Sequence, residues 1–585
     1  MSASSPPGAE PRSELTVRGL ILGSLITFIF TAANVYFGLR AGLTFTSSIP
    51  AAVISMAILR NFRNVTIQEN NVVQTVASAA GTLSSIIFVL PGLVMVGWWS
   101  GFPYWVSFWV CALGGILGVM YSIPLRRALV TNSDLPYPEG VACAEVLKVG
   151  VGAEGEGAAR AAEAGRAGLL TVIVGSVVSA LFAVVEATQV FASDFVDYFR
   201  IRGSTAVSGY DFGLSLALFG VGHLVGLSVG VAMLVGSLII WGGVMPWLTV
   251  AHPAAGAAAD VAADVWRHQA RFIGAGTIGI ASVWTLIKLV KPVLSGLAGA
   301  MAASRVRKAG QGATLPRTEQ DIPIGWVGLV TLACLGPIAW LLGQFAQAGG
   351  IGEHAVLLAA GGVVFVVVMS FLVSAVCGYM AGLIGSSNSP LSGIGILAVI
   401  GVALLLVFWV KPLLGGNGGP ALVAFALFVT AVVFAVATIA NNNLQDLKTG
   451  QLVDATPWKQ QVALVIGVLA GAVVIPPVLD LLNKAYGFAG VPGADPKNAL
   501  AAPQAALISS LAKGVIEGQL DWSLIVWGIG IGAGVIVLDA VLAATSKMRC
   551  PPLAVGLGMY LPLVVTLMIV VGAVAGWWFE RRSAL

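Results

Sequence analysis

Charge is what this chain has least of: Asp, Glu, Lys and Arg make up 10% of its 585 residues, while 58% are hydrophobic. An ordinary soluble domain is about 25% charged, so this scarcity excludes a large soluble domain and points to a polytopic membrane protein. The four histidines (His223, His252, His268 and His354) are far apart and no H-E-x-x-H spacing occurs, so no metal site is expected. The five cysteines (Cys111, Cys143, Cys334, Cys377 and Cys550) are odd in number and form no C-x-x-C pair, which argues against a disulfide framework and against structural zinc. A G-x-x-x-x-G-K-[ST] loop is missing, so direct drive by ATP is not expected of this chain. No patch suited to nucleic acid is present. The formal net charge of +4 comes mostly from basic loops, which in a membrane protein report orientation. Residues 1–16 lack the charged-then-apolar order of a cleaved signal peptide, so the first helix is expected to be retained.

Hydrophobic length is what the chain has. A hydrocarbon core of about 30 Å needs about 20 apolar residues per helix. With Gly, Pro and charge as punctuation, spans are expected near 17–39, 41–59, 72–97, 103–123, 167–188, 211–227, 228–250, 272–300, 324–347, 353–376, 383–411, 419–440, 461–482, 522–544 and 552–577. The fold class is therefore all-α: a multi-pass helical bundle of about 15–16 transmembrane helices with broken or re-entrant segments. Ala501–Glu517 is short and holds Lys513, which suits a re-entrant or interfacial helix; if it crosses, it is the sixteenth span.

In the first half, Arg12, Arg18, Arg60, Arg63, Arg126, Arg127, Lys148 and Arg305 are among the many cations of one set of loops, against Arg40, Arg200, Arg202, Arg267 and Arg271 in the other. This places the N-terminus in the cytoplasm of a cell (inner or plasma) membrane. Arg581-Arg582 would favour a C-terminus on the same side, which fifteen spans do not allow. Weak echoes such as Leu147-Lys148-Val149-Gly150 with Leu447-Lys448-Thr449-Gly450 suggest internal duplication, with chance matching as the rival reading. The expected organisation is a polar tail (1–16), a first transmembrane repeat (17–300), a basic cytoplasmic linker (301–323), a second repeat (324–577) and a C-terminal tail (578–585).

Four polar clusters interrupt the apolar runs. Gly385-Ser386-Ser387-Asn388-Ser389-Pro390 lies inside a stretch from Ala355 to Val410. Lipid-exposed backbone there would leave N–H and C=O groups unsatisfied, so the break belongs in a cavity or against protein; a surface turn is the alternative. Glu69-Asn70-Asn71-Val72-Val73-Gln74-Thr75 opens the third span, and its amides can both donate to and accept from a peptide-like ligand, or an asparagine can cap the helix. Pro136 to Glu145 carries Tyr137 and two carboxylates, Glu139 and Glu145, with a solvated loop as the other reading. Asn441-Asn442-Asn443-Leu444-Gln445-Asp446-Leu447-Lys448 ends a span, where Asp446 and Lys448 could also be a solvated pair. Asp539, within an otherwise apolar span, is a functional candidate because an ionisable group near the bilayer centre costs at least about 2.5 kcal/mol; an ion pair or an interfacial position is its alternative. An intramembrane enzyme with Ser387 or Ser389 as nucleophile lacks a base nearby in sequence, so no catalytic residue is expected.

In order, Glu69 to Ser78, Tyr137-Pro138-x-Gly140, Gly378 to Gly393, Gln445-Asp446-Leu447-Lys448-Thr449-Gly450 and Pro552 to Pro562 resemble the signature segments of the oligopeptide transporter family, in the branch that includes the yellow-stripe-like metal-chelate transporters and their prokaryotic relatives. The resemblance covers nearly the whole chain. It implies proton-coupled uptake of small peptides, modified peptides or metal–chelator complexes through about sixteen helices, with H+ as coupling ion, no further cofactor, and a homodimer in the yellow-stripe-like branch. A passive channel or facilitator is the rival of another class. The expected substrate-binding residues are Asn70, Asn71, Gln74, Tyr137, Ser386, Ser387, Asn388, Ser389, Asn441, Asn442, Gln445, Lys448 and Tyr560, with Glu139, Asp446 and Asp539 as proton-coupling candidates.

Overall fold

The computed structural model describes residues 13–151 apart from 43, 45 and 134; residues 170, 174, 175, 177, 178, 181 and 182; 194–288 apart from 282 and 286; and 316–583 apart from 387, 388, 390, 416, 417, 495–498, 519–521 and 547. Helices dominate, and eleven of those described are long and apolar enough to cross a membrane. The protein is an all-α, multi-pass membrane protein. Of the other expected spans, 41–59 forms only the short helix Ser48–Leu59, 211–227 begins as a strand, 167–188 falls largely outside the described residues, and so does 272–300 from residue 289 on. The chain divides into two compact units: Met1–Ile173, Val290–Leu391 and Lys411–Ala502 form one, and Val174–Leu289, Ser392–Val410 and Pro503–Leu585 the other.

The first unit contains α1 (Val17–Ala41), α2 (Ser48–Leu59), α3 (Ile67–Leu83), α4 (Pro91–Met95), α5 (Tyr104–Arg126) and α6 (Pro138–Val151). Thr16 caps α1 by accepting from the Gly19 N–H at 3.0 Å, and Thr66 caps α3 by accepting from the Glu69 N–H at 3.0 Å. The capping of α3 thus falls to threonine, and Asn70 and Asn71 lie inside the helix. The span expected at 72–97 is broken: α3 gives way to a 3-10 turn at Ser84–Phe88 and then to α4.

Later in the chain this unit adds α10 (Ile324–Ala348), α11 (Ala355–Ile384), α13 (Gly419–Leu452) and α14 (Pro457–Tyr486). α13 is its axis, buried at every residue from 421 to 447. It runs through the asparagines that the sequence reading set at a span's end. α5 reaches it through small residues: a Cβ on Gly114 would stand 2.6 Å from Ala435 Cβ, and one on Gly118 would stand 2.8 Å from the Val436 carbonyl. Close approach of this kind drives helix association where lipid removes the hydrophobic contrast.

Ion pairs tie the unit together near the ends of its helices. Arg126, 1% exposed, donates to Asp321 at 2.5 and 3.0 Å and to Glu319 at 3.2 Å, and Gln461 of α14 donates to Asp321 at 2.7 Å. Glu14 accepts from the Thr456 N–H at 2.8 Å, at the start of α14, and pairs with Arg317 at 2.5 Å.

The second unit holds an antiparallel hairpin, β1 (Asp194–Arg200) and β2 (Val207–Gly213), which the all-α expectation did not include. It continues with α7 (Leu216–Leu238), α8 (Met245–Ala251), α9 (Ala258–Val265), a helix over 271–281, most of α12 (Leu391–Leu405), α15 (Pro503–Glu517), α16 (Trp522–Thr545), α17 (Pro552–Tyr560) and α18 (Leu563–Ser583). α7 is interrupted at Gly226 (φ 79°, ψ 169°). The span expected at 552–577 is two helices, because Pro562 has no N–H to continue α17.

The hairpin carries a pH-sensitive contact. Tyr198 donates to Asp211 at 3.4 Å, and burial followed by the neighbouring Asp194 pushes Asp211 up to about 6. An unfolded aspartate titrates near about 3.9, so the folded hairpin keeps a proton that the unfolded chain releases. That contribution is complete below about pH 3.9 and lost as pH rises through about 6. Hydrogen exchange corrected for intrinsic rates is expected to show a better protected hairpin at about pH 4 than at about pH 7, and Asp211→Asn is expected to remove the difference. In the first unit, Arg126→Ala is expected to cost about 1.5–3 kcal/mol by removing its charged hydrogen bonds to buried Asp321, which keeps Arg127 and Gln461 as partners, read as a lower unfolding midpoint in detergent.

Candidate functional site

The site forms in the first unit, where α3, α6, α11 and α13 meet. α11 ends at Ile384 because Gly385 takes φ 91° and ψ 155°, a region essentially reserved for glycine. Ser386, 4% exposed, follows. Its hydroxyl touches the Glu139 carboxylate, in the first turn of α6, and lies 3.1 Å from Asn442 Oδ1. Asn441 Nδ2 donates to the Ser386 carbonyl at 3.0 Å, and the Ser389 hydroxyl donates to Asn441 Oδ1. The backbone freed by the break is thus partnered from α13, as membrane depth requires.

Gln445 binds the break to α6. Its Nε2 donates to the Ala381 carbonyl at 2.5 Å, and its Oε1 accepts from the Gly140 N–H at 2.7 Å. Thr449 donates to the Gly140 carbonyl at 2.9 Å. Tyr137, with φ 44°, donates its N–H to the Gly382 carbonyl and its hydroxyl to the Leu129 carbonyl, each at 2.8 Å. Burial holds this phenol far above its ordinary range, so it stays protonated. Lys448 turns away from Asp446: it donates to Gln451 at 3.1 Å and sits over the Tyr137 ring at 6.0 Å. The solvated Asp446–Lys448 pair does not form.

α3 supplies the other wall. Asn442 Nδ2 donates to Ser78 Oγ at 2.6 Å and to Asp446 Oδ2 at 2.8 Å. Asp446 is 1% exposed. Gln460 of α14 donates to the Asp446 carbonyl at 2.6 Å and to Thr75 at 3.0 Å. Gln74 donates to Asn71 Oδ1 at 3.0 Å, leaving Asn71 Nδ2 and Gln74 Oε1 buried without partners among the described residues. An orphaned donor beside an orphaned acceptor is what a peptide group could satisfy. Asn70 has a local role: it accepts from Ser55 of α2 at 2.6 Å and donates to the Thr66 carbonyl at 3.1 Å.

The structure therefore brings Asn71, Gln74, Tyr137, Glu139, Ser386, Ser389, Asn441, Asn442, Gln445 and Asp446 into one network. Ser387 and Asn388 lie outside the described residues. Asp539 and Tyr560 belong to the second unit with partners of their own: Arg549 donates to Asp539 at 2.8 and 3.0 Å, and Tyr560 donates to the Pro503 carbonyl at 2.9 Å while accepting from Arg271. Glu145 pairs with Lys148 at 3.0 Å on an exposed face. The site residues expected from the sequence did not include Ser78, Thr75, Thr449 or Gln460, although the first three lie in the segments it singled out. Ser78 was detectable, since Asn71, Gln74 and Ser78 fall at helical spacing on one face of α3.

Membrane-crossing helices closing a polar, carboxylate-bearing network around a broken helix are the construction of a solute transporter. The chain belongs to the OPT family: residues 14–585 match the family described as OPT oligopeptide transporter protein. It is 44% identical over 565 residues to a Haemophilus influenzae protein named "Putative oligopeptide transporter", covering 94% of this chain and 86% of that one. More distant relatives are the "Probable metal-nicotianamine transporter YSL12" of Oryza sativa subsp. japonica, 23% identical over 83% of this chain and 70% of its own length, and the "Probable metal-nicotianamine transporter YSL4" of Arabidopsis thaliana, 22% identical over 98% and 89%. The family is one of transporters, so the protein is a transporter and not an enzyme.

Gly385→Ala tests the break. A Cβ there would lie 2.8 Å from Glu139 Oε1 on a backbone that only glycine tolerates. The substitution is expected to cost about 1–3 kcal/mol, measured as a lower unfolding midpoint, and to reduce uptake by reconstituted protein.

Proposed function

We propose that the protein is a secondary active symporter that carries small oligopeptides or modified peptides across the cell membrane together with protons, with its N-terminus in the cytoplasm. The observation that supports this most is the pair of carboxyl groups, Glu139 and Asp446, connected through Ser386 and Asn442 at the broken end of α11. Protonation removes the cost of burying a carboxylate, so a proton arriving there can bias one arrangement of the helices over another. In this reading Asn71, Gln74, Asn441, Asn442 and the Ser386–Ser389 backbone exchange their mutual hydrogen bonds for bonds to a peptide, while Tyr137, Gln445 and Lys448 frame the break. Asp539, already paired with Arg549, is the weakest of the three proton candidates.

The plant relatives, named as metal-nicotianamine transporters, favour a second substrate class, metal–chelate complexes. A chelate brings its own metal ligands, so it asks only for polar groups of the kind this network offers.

Uptake into proteoliposomes of short labelled peptides and of iron–chelator complexes, with and without an inward proton gradient, tests both readings. Peptide accumulation above equilibrium is expected, falling at least several-fold when the gradient is collapsed. Accumulation indifferent to the gradient would remove the coupling, flux that only equilibrates would mean a facilitator, and accumulation of the chelate alone would change the substrate class.

A further inference from the structure

The first unit has a cleft at the start of α5, none of whose residues belongs to the network at the break. Its volume is about 380 Å³ and its walls are the segment 98–103 and Asp480 of α14, a size within the range of about 300–1,000 Å³ usual for small-molecule sites. The turn that carries its two tryptophans is fixed. The N–H groups of Trp98 and Trp99 both donate to the Leu93 carbonyl, at 2.9 and 3.0 Å, just after Gly97 at φ 77°. Both indoles are half-buried: Trp98 packs on Phe345 of α10 with ring centroids 5.7 Å apart, and Trp99 meets Phe102 edge to face at 6.4 Å. Tyr104 and Trp105, next along the chain, are exposed, which suits the level of lipid headgroups. Trp98 and Trp99 line a cleft instead.

Asp480 gives the cleft its charge. Oδ1 accepts from the Phe102 N–H at 3.3 Å, and Oδ2 pairs with Lys484 at 2.6 Å. A carboxylate has about four acceptor positions, so these contacts leave it able to take a further donor. Gly101 keeps the approach clear, since a Cβ there would stand 2.9 Å from Asp480 Oδ1. The Lys484 side chain shows the kind of group this carboxylate holds, a primary ammonium. That side chain is 74% exposed, and an exposed ion pair contributes little, so a second ammonium can displace it at small cost. Tryptophan faces add attraction for a cation and an apolar surface for whatever is attached to it. Ser100 and the backbone of Gly101 add polar groups that suit a peptide bond and offer nothing to an acyl chain.

The cleft also has a defined end of the unit. α5 runs from it to Arg126, and α14 runs towards it from Thr456, so it lies at the opposite end of both helices from the ion pairs of Arg126 and Glu14. Glu14 directly precedes the first helix. With the N-terminus in the cytoplasm, the cleft faces the side from which a peptide would be taken up. Resting on the symport reading above, we propose that this cleft is a subsite for the amino terminus of a small peptide, whose ammonium takes the place of Lys484 on Asp480 while its first side chain lies against Trp98 and Trp99. Asp480 then selects for a free amine, and Lys484 is a resident competitor that keeps the carboxylate paired when no peptide is there.

Equilibrium binding of tri-alanine and of its N-acetyl derivative to the full-length protein, in nanodiscs of phosphatidylglycerol, tests the subsite. Wild type is expected to prefer the free amine at least several-fold. Asp480→Asn keeps an acceptor for the Phe102 N–H and is expected to lose that preference, whereas Lys484→Gln removes the competitor and is expected to bind the free amine more tightly than wild type. The second variant keeps the test open if the first fails to fold. No preference in wild type, a preference unchanged in Asp480→Asn, or weaker binding of the free amine in Lys484→Gln would each overturn the proposal. Repeating the wild-type titration in phosphatidylethanolamine discs separates a solute from a lipid: a retained preference is expected, and its loss would give the cleft to the lipid's ammonium. Binding is read here without a gradient or transport. Gradient-independent uptake with this pattern intact would remove the symport reading and leave the subsite standing, and gradient-driven uptake without the pattern would do the reverse.

Discussion

The first unit is organised by one constraint: a helix that stops inside a bilayer must have its free backbone groups satisfied by protein. α11 stops at Gly385, and the obligation passes to Asn441 and Gln445, which meet it from within a helix that is itself buried on every side. Asparagine is a poor resident of a helix interior because its side chain competes for the backbone. Here three in succession are held there by Ser386 at the break, Ser78 on α3 and Ser122 on α5.

From this the rest of the site follows. α13 must come close enough to its neighbours for short side chains to reach, which is why glycines line the α5 contact and why Gly140 lies against Gln445. The ion pairs around Arg126 and Glu14 hold the segment before α10 and the start of α14 in register with the helices that carry the network. Energy in this unit is concentrated in directed bonds and close backbone approach, as expected where apolar burial distinguishes little between protein and lipid.

The sequence showed the membrane class, most of the long helices and the polar clusters, because long apolar runs with so little charge fold stably where lipid surrounds them and would aggregate in water. It did not show where helices stop for reasons other than polarity. The break at Pro562 sits between Leu561 and Leu563, and hydropathy passes over it. The two strands of the hairpin at 194–213 are only seven residues each, too short for length to mark them. Asn441 to Gly450 read as a helix end because local propensity says so, and contacts from Ser78 and Ser386 override that propensity. Asp539 shows the converse: its place in an apolar span was plain, but its bidentate partner Arg549 lies past the end of the helix and could not be assigned from spacing.

Asn442 and Ser78 stand 364 residues apart in the chain. During synthesis, α3 enters the membrane long before α13 and α14 exist, so for most of that time the row of Asn71, Gln74, Thr75 and Ser78 lacks the donors that Asn442 and Gln460 later bring to Ser78 and Thr75. Something must shelter that row, be it the insertion machinery, trapped water or a provisional neighbour. Assembly of the carrier therefore waits on the arrival of its later half, and a nascent chain cut short before residue 442 would hold α3 without the asparagine that donates to Ser78.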